Sequence, residues 1–258
     1  MLESVERITP TEINQAFFDI AGYAPIDESS ILLQRLPFLG RIGTGGTERI
    51  FVDAYAKDGL RGIALADSLT SRPDEIKKAN WVQPLCKFGI QILMTKFKPD
   101  ESMAKMIKIY VANGNNQVGC DYIQFKLLAT EGACDFGNLS VKDGSFDTLT
   151  LSEKRVSNLN IFGCDIENME IENSDIESVI LEHCTIKIVD GIGGVSKLPD
   201  VFRDCLFGEF RDANSVSRIS ELKLSDAHLM TPRAVQRSQL THHFRRGSRP
   251  CRAAAYLS

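Results

Sequence analysis

Every fifth residue from Phe136 to Ile186 is large and apolar: Phe136, Val141, Phe146, Leu151, Val156, Ile161, Ile166, Ile171, Ile176, Leu181 and Ile186. The positions two residues earlier are Cys134, Leu139, Gly144, Leu149, Lys154, Leu159, Cys164, Met169, Ser174, Val179 and Cys184. All of these except Lys154 are small or apolar. The three remaining positions of each five are mostly Asp, Glu, Asn, Ser, Thr or Gly. Apolar residues make up 43 % of the chain. Eleven consecutive hits at that frequency arise by chance roughly once in ten thousand registers, so the period belongs to the fold.

A period of five fits neither the 3.6 of a helix nor the 2.0 of a flat strand. It fits a coiled ribbon in which each five-residue side turns a corner and sends two side chains inward. Coils stacked about 4.8 Å apart then satisfy one another's backbone. The runs Cys164-Asp165-Ile166-Glu167-Asn168 and Ser174-Asp175-Ile176-Glu177-Ser178 resemble the repeat of the pentapeptide-repeat family. That resemblance implies a right-handed quadrilateral β-helix with four repeats per coil. Residues 134–188 then give under three coils, and Phe202, Cys205 and Phe207 imply that the stack resumes after the Gly191–Pro199 interruption. Cys134, Cys164 and Cys184 occupy the inner small-residue position, where a free thiol behaves as a compact hydrophobe. Cys164 and Cys184, twenty residues apart, should stack.

The first 132 residues read as helices with one hairpin. Thr9-Pro10-Thr11-Glu12 is a capping box with proline at the first helical position. Ile13, Ala16, Phe17 and Ile20 follow on one face, and Gly22 ends the helix. A second helix is expected over about 28–36. Segments 38–42 and 49–52 then flank a glycine-rich turn as a short hairpin. Helical patterns return at about 53–69, 74–97 (interrupted at Pro84), 100–112 and 118–130. Two helices, a hairpin and further helices is the order of a winged-helix module with appended helices. The segments Leu36-Pro37-Phe38-Leu39-Gly40-Arg41-Ile42, Phe51-Val52-Asp53-Ala54-Tyr55 and Asp58-Gly59-Leu60-Arg61-Gly62 resemble the region that follows the ATPase module in bacterial NACHT or STAND NTPases. The helical stretch from Trp81 and Pro84 to Ala129, followed by a pentapeptide ribbon, suits the same arrangement. These are large signalling ATPases, many of them implicated in antiphage defence.

The expected organisation is therefore α+β and multidomain. A winged-helix-like module over 1–70 precedes a helical linker over 71–132, a β-helix over 133–212 and a basic, disordered tail over 213–258. From Ala227 to Ser258 there are six arginines and no acid. Residues 134–188 hold eleven acids and four bases, a net −7. Asp165, Glu167, Glu170, Glu172, Asp175 and Glu177 fall at outer repeat positions and form the candidate interaction face.

No catalytic constellation emerges from the sequence. The seven cysteines are odd in number and form no CxxC pair, so neither a disulfide framework nor a structural zinc site is expected. No cofactor or small-molecule substrate is implied either. No stretch approaches the roughly 18 apolar residues of a membrane helix. The N-terminal residues lack the apolar run of a secretory signal, so no membrane contact is expected and the cytoplasm is the expected compartment. Direct nucleic-acid binding is not expected either, the tail being its sole candidate.

Two functions follow. The first is a non-catalytic sensor or interaction module, the C-terminal portion of a NACHT/STAND-type protein lacking its ATPase, with a protein partner on the β-helix surface. The alternative is a stand-alone acidic pentapeptide-repeat protein that mimics DNA and binds a topoisomerase. Three coils at about 4.8 Å cover only four or five base pairs of duplex, which favours the first.

Gly40-Arg41-Ile42-Gly43-Thr44-Gly45-Gly46-Thr47 has the GxxxxG spacing of a phosphate-binding loop. Gly46, however, stands where that loop needs the lysine that holds the β- and γ-phosphates. The chain should neither bind nor hydrolyse ATP at millimolar concentration. Saturable ATP binding in calorimetry, lost on Thr47→Ala, would contradict this.

Overall fold

The computed structural model describes residues 7–42, 46–70, 81–192, 195 and 201–211. The chain divides into two compact units at Arg61/Gly62.

The first unit holds α1 (Pro10–Ala21), α2 (Asp27–Leu33) and a two-stranded antiparallel hairpin, β1 (Leu39–Arg41) with β2 (Arg49–Phe51). The capping box forms as the sequence predicts. The Glu12 amide donates to the Thr9 hydroxyl oxygen (3.2 Å), and the Glu12 carboxylate accepts from the Thr9 amide (2.7 Å). Gly22 closes α1 in the left-handed conformation, φ 78°, its N–H on the Phe18 carbonyl. Arg49 is buried, with Nε on the Gln34 carbonyl (3.0 Å) and Nη1 on the Thr47 carbonyl (2.6 Å), so its charge is taken up by main-chain oxygens. Residues 43–45 of the glycine-rich turn lie outside the described residues. Helix α3 (Ala54–Thr70) follows the hairpin and runs across the division between the units.

The second unit contains α4 (Lys87–Lys96), α5 (Glu101–Ala112), α6 (Asn116–Ala129) and a parallel β-solenoid of about four turns over residues 133–210. Its strands alternate between two four-stranded parallel sheets. One is ordered β3 (Ala133–Lys142), β5 (Arg155–Phe162), β7 (Asp175–Glu182) and β9 (Phe202–Arg203). The other is ordered β4 (Ser145–Thr150), β6 (Asp165–Glu170), β8 (Thr185–Asp190) and β10 (Leu206–Phe210). Val141, Ile161 and Leu181 lie in register at twenty-residue steps, and so do Phe146, Ile166 and Ile186. The stack resumes as expected: Phe202 pairs with Leu181 and Phe207 with Ile186, one residue later than a strict repeat.

The five-residue period has a local cause. Inward side chains alternate in spacing: Val156, then Leu159 three residues on, then Ile161 two residues on. The step of two is ordinary extended backbone; the step of three needs a bend. Non-glycine residues with positive φ mark these bends at Asn138, Asp143, Glu153, Asn158, Asn173, Ser178 and His183, and Gly163 joins them at φ 60°. Asn and Asp tolerate that conformation better than other side chains, which is why the outer positions are rich in them. The steps Phe146–Leu149, Ile166–Met169 and Ile186–Val189 lie within continuous strands and have no residue at positive φ.

The inner columns are solid. Every large repeat position is buried except Ile176, which is half-buried. Both polar exceptions are satisfied. Lys154 sends its ammonium to the Thr130 carbonyl (2.8 Å), and the buried Ser174 hydroxyl lies within reach of the Leu151 (2.8 Å) and Ile171 (2.9 Å) carbonyls. The first turn departs from the expected register. Cys134 pairs with Val156, twenty-two residues on, whereas Leu139 pairs with Leu159, so two extra residues are absorbed in a bulge between Asp135 and Leu139. Cys134 therefore shares a level with Val156, not with Lys154.

Helix α6 packs against α4, α5, β3 and β4, and is buried from Gln117 to Phe125. Two glycines permit this seat. A Cβ on Gly119 would lie 2.7 Å from Val141, and a Cβ on Gly144 would lie 2.5 Å from the Cys120 sulfur.

Ile171 and Glu172 are sequence neighbours with opposite surroundings, one fully buried and one exposed. Ile171→Asp strands a carboxylate in an apolar column at a cost of several kcal/mol, out of a total stability of about 5–15 kcal/mol. Glu172→Lys should be near neutral. Thermal melts of the two variants check the register, and equal damage from both would refute it.

Candidate interaction surface

The outward residues are held by the ladder beneath them, so strand position sets where each charge stands. Asp165, Glu167 and Glu170 project from β6, in one sheet. Asp175 and Glu177 project from β7, in the other, and Glu172 lies in the connection between them. The six acids are thus carried around one turn of the solenoid and do not share one sheet. All six are exposed.

Half of them are engaged by a neighbour twenty residues away. Asp175 pairs with Arg155 Nε (2.9 Å), Glu167 with the Lys187 ammonium, and Glu170 accepts from the Thr150 hydroxyl (3.0 Å). The Glu167 carboxylate raises the Lys187 pKa, chiefly through their hydrogen bond. Such exposed, screened pairs contribute little to stability; they set which carboxylates remain open. Asp165, Glu172 and Glu177 have no side-chain hydrogen bond or ion pair among the described residues.

The composition of the repeat did not point to the aromatic element on this surface. Phe162 is 42 % exposed and meets the His183 ring edge-on, centroids 5.2 Å apart. His183 occupies a bend, φ 53°, and is exposed, whereas Cys184 beside it is buried.

Beneath the surface runs a column of thiols. Cys164, Cys184 and Cys205 stack on successive turns, and Cys120 of α6 stands where Gly144 leaves the first turn without a side chain. The Cys184 sulfur lies 3.5 Å from the Ile161 carbonyl, and the Cys205 sulfur 3.3 Å from the Leu181 carbonyl. Hydrogen bonding to Cys164, then burial, raises Cys120 well above an ordinary thiol. Hydrogen bonding to Cys205, then burial, does the same for Cys184. The same two hydrogen bonds act in the opposite sense on their partners, lowering Cys164 and Cys205; all four thiols are buried and act as packing.

At the bulge, two helices reach the first turn with lysines. Lys108 donates to the Gly137 carbonyl (2.6 Å) and Lys126 to the Asp135 carbonyl (2.5 Å), with Lys126 also 5.1 Å from the centre of the Phe136 ring. The Asp135 carboxylate accepts from Asn158 (2.9 Å) and the Gly137 amide (2.8 Å), which together lower its pKa. Among the described residues, no group of three or more His, Cys, Asp or Glu side chains is placed to hold a metal ion. No helix among them is long and apolar enough to cross a membrane.

Thiol chemistry reads this burial directly, because the thiolate is the reactive form. In the native protein at mildly alkaline pH, iodoacetamide should modify the exposed Cys86 while Cys120, Cys164, Cys184 and Cys205 stay intact. Peptide mapping should find them modified only after unfolding; native labelling of Cys184 or Cys205 would show that the column opens.

No family model matches the chain, and no curated protein and no solved structure matches it.

Proposed function

We propose that the chain is a non-catalytic interaction module that offers the outer surface of its β-solenoid to a protein partner in the cytoplasm. The observation that carries this reading is the set of open carboxylates, Asp165, Glu172 and Glu177, fixed around one turn above a filled core. Charges on such a scaffold keep their geometry in the unbound state, so little ordering entropy is lost when a basic surface docks.

The finer form of the solenoid belongs to the same proposal: a right-handed, four-sided pentapeptide-repeat β-helix. Twenty-residue registers, with a positive-φ residue at three of the four five-residue steps in a turn, support four sides. The N-terminal helices and hairpin are read as a winged-helix-like module. The whole is then the C-terminal portion of a NACHT/STAND-type signalling or antiphage-defence protein. Support for that assignment is the order of elements, helices and hairpin ahead of helices and solenoid. A Walker A motif in the open reading frame directly upstream would strengthen it.

DNA mimicry of a topoisomerase partner is the weaker reading. Arg155 and Lys187 neutralise two of the six acids, and the rest are shared between two sheets.

A photocrosslinking residue placed at 172 or 177 in the full chain tests the proposal in the native cell. One protein should crosslink at either position, and Asp165→Lys should remove it without moving the melting temperature by more than about a degree or two. The same crosslink pattern with Asp165→Lys would overturn the reading. Inhibition of gyrase supercoiling by the chain would move the assignment to the mimic.

A further inference from the structure

The first unit carries an apolar stripe that its own fold leaves open. Ile13, Phe17 and Ile20 of α1 face Leu33, Phe38 and Phe51 across a groove of about 330 Å³. Neither α1 nor α2 has a buried residue. Ile20, in the groove lining, is 75 % exposed. Contiguous exposed apolar surface of this kind marks a contact site in a folded protein.

The shape and charge of the groove define what fits. The lining positions 13, 16, 17 and 20 follow i, i+3, i+4, i+7, the spacing that interlocks with the ridges of a second helix. Helix α1 has 12 residues, about 18 Å of stripe. The Ser30 hydroxyl bonds to the Asn14 side chain (2.9 Å), which ties α2 to α1 and holds that flank of the groove in place. Residues 8–34 contain Glu12, Asp19, Asp27 and Glu28 and no lysine or arginine. Glu12 lines the groove and is kept ionised by the Thr9 amide and hydroxyl, which lower its pKa. Of the six bases in the same unit, Arg7 is paired with Glu48, Arg49 is buried, Arg35 follows α2, Arg41 ends β1, and Lys57 and Arg61 lie on α3, so none lies on α1 or α2.

We propose that the groove between α1, α2 and the hairpin is a docking site for an amphipathic helix of another protein, with an apolar i, i+3, i+4, i+7 face and a basic flank. The basic flank lies along α1 and α2, which sets the face the docked helix turns toward them. This site is separate from the solenoid surface and does not depend on the function proposed for it.

A displayed library of random helical peptides, selected on the full-length chain and counter-selected on its Ile20→Glu variant, tests the proposal. Position 20 is exposed, so Ile20→Glu should melt like the parent. Enriched peptides should be net positive with the stated apolar spacing. One of them, synthesised, should bind the parent at least about ten-fold more tightly than Ile20→Glu. Asp19→Lys with Asp27→Lys should weaken it a further few-fold and flatten its salt dependence. Glu172→Lys with Glu177→Lys should leave it unchanged, which separates this result from the solenoid reading. The proposal is overturned by a selection that enriches nothing, by neutral or acidic winners, or by retained binding to Ile20→Glu. It is equally overturned when the chain sediments as a dimer that Ile20→Glu dissociates, since the occupant is then a second copy.

Discussion

A parallel solenoid has one problem that its repeat cannot solve: the first turn has no turn before it. Its edge exposes unpaired amides and carbonyls, each as costly to bury unsatisfied as a lost hydrogen bond. Here α6 supplies the missing rung. The Gln117 side chain accepts from the Ser145 amide (2.8 Å) and donates to the Ser145 carbonyl (2.9 Å), the two bonds a preceding strand would make. Asn116 accepts from the Lys142 amide (3.3 Å). Cys120 fills the apolar space above Gly144. One helix thus closes the ladder and the core together.

That helix is itself fixed by a buried carboxylate. Asp121 is fully buried and accepts from Trp81 Nε1 (2.6 Å), the Leu85 amide (2.9 Å) and Gln117 Nε2 (3.1 Å). A buried charge of this kind is tolerated because donors surround it, and removal of a partner would leave the others stranded. Gln117 links the two halves of the arrangement, with Ser145 on one side and Asp121 on the other. The segment that leads into α4 is therefore tied through two side chains to the first rung of the solenoid. Stability in this unit is directional: turns further along the stack rest on those before them, and the first rests on α6.

How much of this the sequence carries depends on whether a feature repeats. The solenoid was legible because each inner residue is constrained twenty residues away in both directions, so the pattern recurs eleven times. The bulge at Asp135–Leu139 was not, since its two extra residues leave the apolar positions that follow, Leu139 and Val141, in the repeat. Helix α6 was legible as a helix but not as a cap, because its burial on nearly every face erases amphipathic periodicity. The one available signal was Gly144, a gap in the small-residue column that needs filling from elsewhere. The outer acids were legible as outward-facing. Their distribution over two sheets was not, because a five-residue step changes direction as well as height. In the first unit the capping box, the helices and the hairpin followed from local chemistry, whereas the buried Arg49 depends on carbonyls brought together by the fold.

The two units differ in how they treat apolar surface, and that difference separates their roles. In the solenoid, inner side chains meet equivalent side chains above and below, and the surface that remains is mostly polar, with Phe162 and Leu206 exposed on it. In the first unit, two short helices and a three-residue-stranded hairpin cannot enclose the residues they gather, and the stripe on α1 stays open. Small modules rarely bury enough area to close a core unaided. An open stripe flanked by acids is therefore not a defect of packing but a surface whose burial waits on another chain, and the acids select which chain that is. Charge recognition on a rigid scaffold is fast and weakly adhesive, while apolar burial in a groove lengthens residence. The two surfaces thus differ in the physics by which each could hold a partner: fixed charge on the solenoid, apolar burial in the groove.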